Sequence, residues 1–432
     1  VGFAGQAMAS GERTPLAAID AAASGRMAVG EAITNVLAAP IDLPGVKLSC
    51  NWMAACGEAG EDADLYDTVT AVAMELCPAL GISVPVGKDS LSMRTRWADE
   101  AGDEKQVTSP VSLVVTAFAS LDDVRTTLTP QLPADSELLL VDLGAGKNRL
   151  GGSILAQANY QFGGVVPDLD DPARLVALVS AINQLRAEGL LLAYHDRSDG
   201  GLWATVCEMA FAGGVGVDLA DVDLGALFAE ELGAVIAVEA AHLARAEAIL
   251  AEHGLGDISG HIGSTNTGRR ITVASLELDE SLVELAKAWD EVSWRIARLR
   301  DNPESADSEH ESIGAIDPIL TLQTTFDPTE DICAPALIGT ARPKVAILRE
   351  QGVNSHVETS FAFDRAGFDT YDVHMTDLES GRFDLADAVG LAAAGGFSYG
   401  DTLGAGEGWA RSVLFNPKLT EAFSSFFARQ DT

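Results

Sequence analysis

Basic residues are scarce in this chain: 28 Lys and Arg stand against 64 Asp and Glu, for a formal net charge of −36. Binding to a phosphate backbone or an anionic lipid surface draws on cationic surface, so this balance argues against nucleic-acid and membrane-surface partners. A phosphorylated ligand would need help from a divalent cation, backbone N–H groups or a few local cations. Cysteine is sparse too. Cys50, Cys56, Cys77, Cys207 and Cys333 are odd in number and scattered without zinc-type spacing, which fits free thiols in a reducing cytoplasm. No apolar run reaches membrane-spanning length, and no secretory h-region is present. What remains is a 432-residue chain, 47% hydrophobic, long enough for about three domains. It opens on Val1 in the middle of a pattern and reads as a fragment.

The stretch that organises the rest is Tyr194-His195-Asp196-Arg197-Ser198-Asp199-Gly200-Gly201. Residues 190–193 ahead of it read as a brief strand, and 202–209 behind it have helical spacing. Such a turn offers N–H groups at a helix start, glycines that admit a close ligand, and carboxylates able to hold Mg²⁺. An Asp/Ser cap on an ordinary turn fits the same residues.

Upstream, Thr14-Pro15 opens an Ala-rich helical stretch to about Ala39, loosened at Ser24-Gly25 and closed by Pro40. Within it Glu31 and Asn35, at i and i+4, project from one face; they can share a hard cation or form a solvated polar face. Gly30, costly inside a helix, points to close approach by another element. Residues 47–53 read as a strand, and a helix from about Asp62 stops at Gly81. A short strand at 82–86 then delivers Gly87-Lys88-Asp89-Ser90, which lacks P-loop spacing; Lys88 is open to a phosphate or to a surface ion pair.

Residues 109–119 form a β-branched run, and the polar stretch 121–135 marks a domain boundary. A strand at 137–143 leads into 144–153, where four glycines with Lys147 and Arg149 make a candidate anion cradle that includes Gly151 and Gly152. A capped helix from Asp171-Pro172, a strand at 233–238, a helix at 241–252 and strands near Ile258 and Ile271 complete an α/β unit. Leu282, Leu285, Trp289, Val292, Ile296 and Leu299 form a helical stripe expected to lie on a neighbouring surface. Residues 302–312 read as an acidic linker. From Lys344 on, a β-α-β order with a capping box at Ser355 and Glu358 suggests a doubly wound sheet, its loop chemistry at the strands' carboxyl ends.

Several motifs occur together and in the same order in one family: Gly11-Glu12-Arg13-Thr14-Pro15, 29–35, 49–55, 85–92, 195–201, 349–355, 395–401 and 404–409. The chain resembles the large single-chain phosphoribosylformylglycinamidine synthases of purine biosynthesis over essentially its whole length. The resemblance implies an α/β and α+β multidomain fold. Its parts would be an aminoimidazole ribonucleotide synthetase-like N-terminal unit (1–122), a matching C-terminal unit (135–278), a helix and acidic linker (279–340), and a partial flavodoxin-like class I glutamine amidotransferase domain (341–432). It also implies a cytoplasmic ATP-dependent C–N ligase. Formylglycinamide ribonucleotide, ATP, glutamine and water would become formylglycinamidine ribonucleotide, ADP, phosphate and glutamate, through an iminophosphate attacked by glutamine-derived ammonia.

By resemblance, Glu31, Asn35 and Asp196 hold Mg²⁺ and Ser198 touches the nucleotide, ATP or ADP, with Lys88 a further phosphate candidate. A further Mg²⁺-binding Asp of the family lies before Val1, and the family has Glu where this chain has Gln6. The site in this half is expected to be auxiliary. The nucleophilic Cys, its His base and its acid are expected after Thr432, leaving no catalytic residue within the chain. Gly396 and Phe397 resemble half of an oxyanion hole. The alternative is a non-catalytic Mg-nucleotide-binding scaffold that supports the other synthetase half and docks a glutaminase. A free-standing kinase-like relative is disfavoured by the domain from Lys344 on.

Overall fold

Small and β-branched residues build the first sheet of the computed structural model, which describes residues 2–315, 323–330, 341–404 and 406–432. Val1, Cys333, Ala405 and the parts 316–322 and 331–340 of the expected linker lie outside the described residues. In chain order come β1 (Gly5–Glu12), α1 (Thr14–Ala17), α2 (Ala21–Val36), β2 (Lys47–Met53) and α3 (Glu61–Val69). A π-helical stretch (Thr70–Leu76) continues α3 into α4 (Cys77–Leu80), followed by β3 (Ser83–Ser90), the ribbon β4 (Arg94–Ala98) and β5 (Glu104–Thr108), and β6 (Ser112–Leu121). The sheet order is β1-β6-β2-β3, with β2 and β3 parallel. α2 covers one face, burying Met27, Val29, Ile33 and Val36.

Two expectations need correction here, and a third gains its partner. The first helical stretch breaks at residues 18–20, not at Ser24-Gly25, because Asp20 caps α2 by accepting from the Ala23 N–H at 2.9 Å. Ser24 and Gly25 are buried inside α2. The strand expected to end at Val86 continues through Ser90, so Lys88 sits exposed on an edge strand and not in a loop. The element that approaches Gly30 is now identified: a Cβ there would lie 2.2 Å from Leu232 Cδ1.

The second sheet is built from β7 (Ser136–Asp142), β8 (Leu191–Asp196), β9 (Gly216–Leu219), β10 (Gly233–Glu239), β11 (Ser259–Asn266), β12 (Arg270–Val273) and β13 (Leu278–Ser281), in the order β13-β12-β9-β11-β7-β10-β8. Its helices are α5 (Ile154–Ala158), α6 (Pro172–Ala187), α7 (Gly201–Gly213), α8 (Leu224–Phe228), α9 (Leu243–Glu252), α10 (Leu282–Arg300) and α11 (Pro303–Ser312). One core joins α2, β2 and β6 to β7, α6 and α9; a second joins Leu202, Val206 and Met209 of α7 to Val217, Val235 and Ile271. Between the two sheets, the Tyr194 hydroxyl donates to Thr34 O at 2.6 Å, tying β8 to α2.

The apolar stripe of α10 is mostly uncovered. Leu282 is buried, but Trp289, Val292, Ile296 and Leu299 are exposed, the last at 89%. The expected acidic linker at 302–312 is instead helix α11. Asn302 caps it by accepting from Ser305 N at 3.0 Å, and its residues have partners on α10. Trp294 Nε1 donates to Asp307 at 2.9 Å, and the Trp294 ring stacks on His310 at 4.3 Å. Local composition missed these tertiary contacts.

The chain divides into two units, Val1–Pro318 and Ile319–Thr432. The second contains β14 (Lys344–Arg349), α12 (His356–Arg365), β15 (Asp369–His374), α13 (Met375–Ser380), β16 (Gly390–Ala393), α14 (Glu407–Leu414) and α15 (Pro417–Phe427). Its parallel sheet has the order β15-β14-β16. Ser355 forms no capping box: it is left-handed (φ 60°) and its side chain caps nothing. The capping box lies at His374 and Asp377 on α13.

Candidate functional site

The Tyr194–Gly201 stretch is a strand end running into a helix, and a buried arginine pins it. β8 extends through Asp196, and the Arg197 N–H donates to Gly233 O at 2.9 Å. The fully buried Arg197 side chain donates to Glu231 O at 2.6 Å and Leu232 O at 3.1 Å, and pairs with Asp142. Gly201 (φ 65°) starts α7 where a Cβ would meet the backbone of residues 227–229 at 2.8–3.0 Å, so the turn needs glycine. Asp196 is buried, Ser198 half-buried and Asp199 exposed.

α2 supplies the other wall. Glu31 accepts from Glu12 N at 3.1 Å, and Asn35 Nδ2 donates to Ser10 O at 3.3 Å. Both thus satisfy the free edge of β1, a structural duty the sequence did not reveal. With Nδ2 facing Ser10, the Asn35 amide oxygen remains available to a cation. α2 approaches β1 this closely because of Gly11, where a Cβ would lie 2.2 Å from Ala28 O and 2.4 Å from Ala32 N.

Two residues that carried no role in the sequence reading hold the cluster together. Arg13, 2% exposed, lies 3.2 Å from both Asp199 and Glu230. Glu230, 3% exposed, accepts through Oε1 from Ile154 N at 2.8 Å and Gly200 N at 2.9 Å. The signal for Glu230 was a pair of acids, Glu230-Glu231, set between apolar Leu227 and the buried strand β10.

Electrostatics mark the cluster as short of positive charge. Burial pushes Glu31 up to about 8; Arg13 and the Glu12 N–H oppose this, while Asp199 and Asp196 add to it. Burial also raises Glu230, and partial desolvation raises the more exposed Asp199, with Arg13 the leading opposing influence on each. Several carboxylates thus share one guanidinium, an arrangement that favours a cation. His195 goes the other way: burial lowers it, but bonds to Asp196 and Glu208 outweigh that and carry it to about 10. Among the described residues, no three His, Cys, Asp or Glu side chains close into a metal cage. A cation here would therefore need further oxygens from a ligand or water.

Other candidates lie apart or are already engaged. Lys88 shares a sheet row with Asn51, Val114 and Glu12, three strand spacings or about 14 Å from Glu12. In residues 144–153, the candidate anion cradle, both cations have carboxylate partners. Lys147 pairs with Asp170 at 2.9 Å, and Arg149 with Asp170 at 2.9 Å and Glu231 at 2.8 Å. The Gly151 N–H is taken by Val165 O at 2.8 Å. Gly152 (φ 73°) is buried against Leu16, whose Cδ2 would lie 2.8 Å from a Cβ there.

In the second unit, the loops after β14 and β16 lace together: Asn354 N donates to Gly395 O and Tyr399 N to Gln351 O, both at 3.0 Å. This sets Gly396 (φ 139°) against Val353 and leaves the Phe397 ring exposed, at the strands' carboxyl ends.

Three family descriptions match the chain in succession: an FGAR-AT PurM_N-like domain at residues 1–120, an AIR synthase related protein C-terminal domain at 136–306, and a CobB/CobQ-like glutamine amidotransferase domain at 342–432. Among solved structures, PurLQS from Thermotoga maritima aligns at 14% identity over 65% of this chain and 44% of that one, with a TM-score of 0.48. T. maritima PurL complexed with FGAR aligns at 16% identity over 66% and 46%, with a TM-score of 0.49. E. coli HypE, a hydrogenase maturation protein, aligns at 20% identity over 64% and 84%, with a TM-score of 0.44. The chain spans less than half the length of the two Thermotoga chains. Among the described residues no helix is long and apolar enough to cross a membrane.

Proposed function

Because the chain is a phosphoribosylformylglycinamidine synthase-like protein, with AIR synthase-like N- and C-terminal domains and part of a glutaminase domain, we propose that it serves a cytoplasmic ligase of purine biosynthesis. That ligase would make formylglycinamidine ribonucleotide from formylglycinamide ribonucleotide, ATP, glutamine and water. ATP phosphorylates the amide oxygen, and glutamine-derived ammonia displaces phosphate from the iminophosphate. The four domain spans 1–122, 135–278, 279–340 and 341–432 belong to this proposal.

In this reading Glu31, the Asn35 amide oxygen and Asp196 hold Mg²⁺, Ser198 touches the nucleotide, and Lys88 meets a phosphate from the open sheet face. Mg²⁺ held there would supply positive charge to the phosphate oxygens of the nucleotide. Arg13 orients Asp199, Arg197 fixes the loop, and Gly396 with Phe397 form part of an oxyanion site. The observation that carries the reading is the gathering of Glu31, Asp196, Asp199 and Glu230, two of them buried, around Arg13 at the start of α7.

A second reading is a non-catalytic Mg-nucleotide-binding scaffold that supports the other synthetase half and docks a glutaminase; in it the Glu230 carboxylate, which accepts from Gly200 N and Ile154 N, serves to hold the loop in shape. Calorimetry with Mg·ADP tests the site. Asp196→Asn is expected to weaken binding by about 1–3 kcal/mol, as for loss of a charge-assisted contact. Unchanged affinity removes Asp196 from the metal site.

A further inference from the structure

A cavity of about 880 Å³ lies between the C-terminal end of α7, the first turns of α10 and the end of α11. Its size is that of a small-molecule site. Its apolar lining comprises Leu282, Val283 and Ala286 with the rings of Phe211 and Trp289, whose centroids are 6.3 Å apart. Two of its acids are already engaged: Glu208 bonds His195 at 3.1 Å, and Asp290 bonds His310 at 2.8 Å. Glu309 stands exposed at the rim.

Arg269 is different. In a chain so rich in acid, it has no carboxylate partner among the described residues, and its Nε is buried without a hydrogen bond. It also holds a left-handed backbone (φ 52°) in the turn between β11 and β12, a conformation that long side chains seldom adopt. Its carbonyl accepts from Leu282 N at 3.1 Å, which places it beneath the first turn of α10. Ser281 gives that turn no side-chain cap, so the helix end adds to the positive potential there.

We propose that this cavity binds a small organic carboxylate with a flat apolar body, the carboxylate on Arg269 and the ring against Trp289 and Phe211. The charge-bearing end and the aromatic end are set by different elements, so the site selects for both features at once. A neutral analogue keeps the ring contact and loses the ion pair. The proposal does not depend on the nucleotide reading.

Calorimetry on the full chain with 2-naphthoate and its uncharged counterpart 2-naphthamide provides the test. The carboxylate is expected to bind at one site about ten-fold more tightly than the amide, the size of one charge-assisted contact. Arg269→Asn, whose side chain tolerates the left-handed turn, should abolish that preference. Arg269→Lys should retain most of it, and Trp289→Ala should weaken both probes alike. Equal affinity of the two probes for the unaltered chain overturns the proposal, as does binding of neither. A preference that survives in Arg269→Asn overturns it too. If Arg269→Asn fails to fold, the probe pair on the unaltered chain and on Arg269→Lys still decides.

Discussion

Glu230 offers the sharpest test of what holds the acidic cluster in place. Its Oε1 accepts from both Ile154 N and Gly200 N, while Oε2 faces Arg13 at 3.2 Å. Glu230→Ala removes the carboxylate acceptor of two part-buried N–H groups, and a hydrogen bond to a charged group is worth about 1.5–3 kcal/mol. Arg13 keeps Asp199 and the backbone oxygen of residue 230, so it adds little to the loss. The expected cost is about 3–4 kcal/mol. Glu230→Gln retains an oxygen for both amides and removes only the charge. Burial already holds this carboxyl above its ordinary value, so ionisation brings the fold no net gain. The Gln variant should therefore lose only about 1 kcal/mol, from an amide NH₂ facing a guanidinium. The sign of the pH dependence follows. A carboxyl raised by folding favours the proton-bound form, so its share of stability falls as pH rises above the ordinary carboxylate range. The Gln variant should lack that share. Urea unfolding of both variants between pH 4 and 8 reads all of this. Equal losses for Gln and Ala would show that charge, not the shared acceptor oxygen, secures the helix starts, and would refute the reasoning.

Gly11→Ala drives a methyl into backbone atoms of α2 on two sides and should cost about 3 kcal/mol or more in urea midpoint terms. Burial raises the thiols of Cys50 and Cys207 to about 12 and of Cys77 to about 11. Iodoacetamide at pH 8 should therefore spare all three in the folded chain while modifying the partly exposed Cys56, as peptide mass mapping will read. His310→Ala removes the ring stacked on Trp294 and the partner of Asp290. Amide exchange in α11 should then quicken about five-fold, for a loss of about 1 kcal/mol, and unchanged exchange would mean the stack contributes nothing.

Local signals located most elements because strand and cap chemistry is local. The strand at 47–53 appears with those bounds, and Asp171 caps α6 by accepting from Ala173 N at 3.0 Å. What the sequence hid depends on partners distant along the chain. Arg13 and Glu230 are 217 positions apart, and neither has a motif that names its role. Residues 302–312 looked like solvated linker because Trp294, Arg298 and Asp290, which receive Asp307 and His310, come from another helix. The Gly-rich loop at 144–153 shows two cations in sequence, but not that Asp170 and Glu231 pair with them. Composition shows which charges a chain has, but not which of them have already met.

Gly11 has a consequence for how the first sheet assembles. Along β1, Ala7, Ala9 and Gly11 alternate toward the protein interior, and only the last has no side chain to set against Ala28 and Ala32. A two-residue slip of β1 would bring the Ala9 methyl to that point and be rejected. The strand therefore drops into α2 like a pin into a single detent, which indexes Glu12 to Glu31 and, one residue on, sets the depth at which Arg13 enters the acidic cluster.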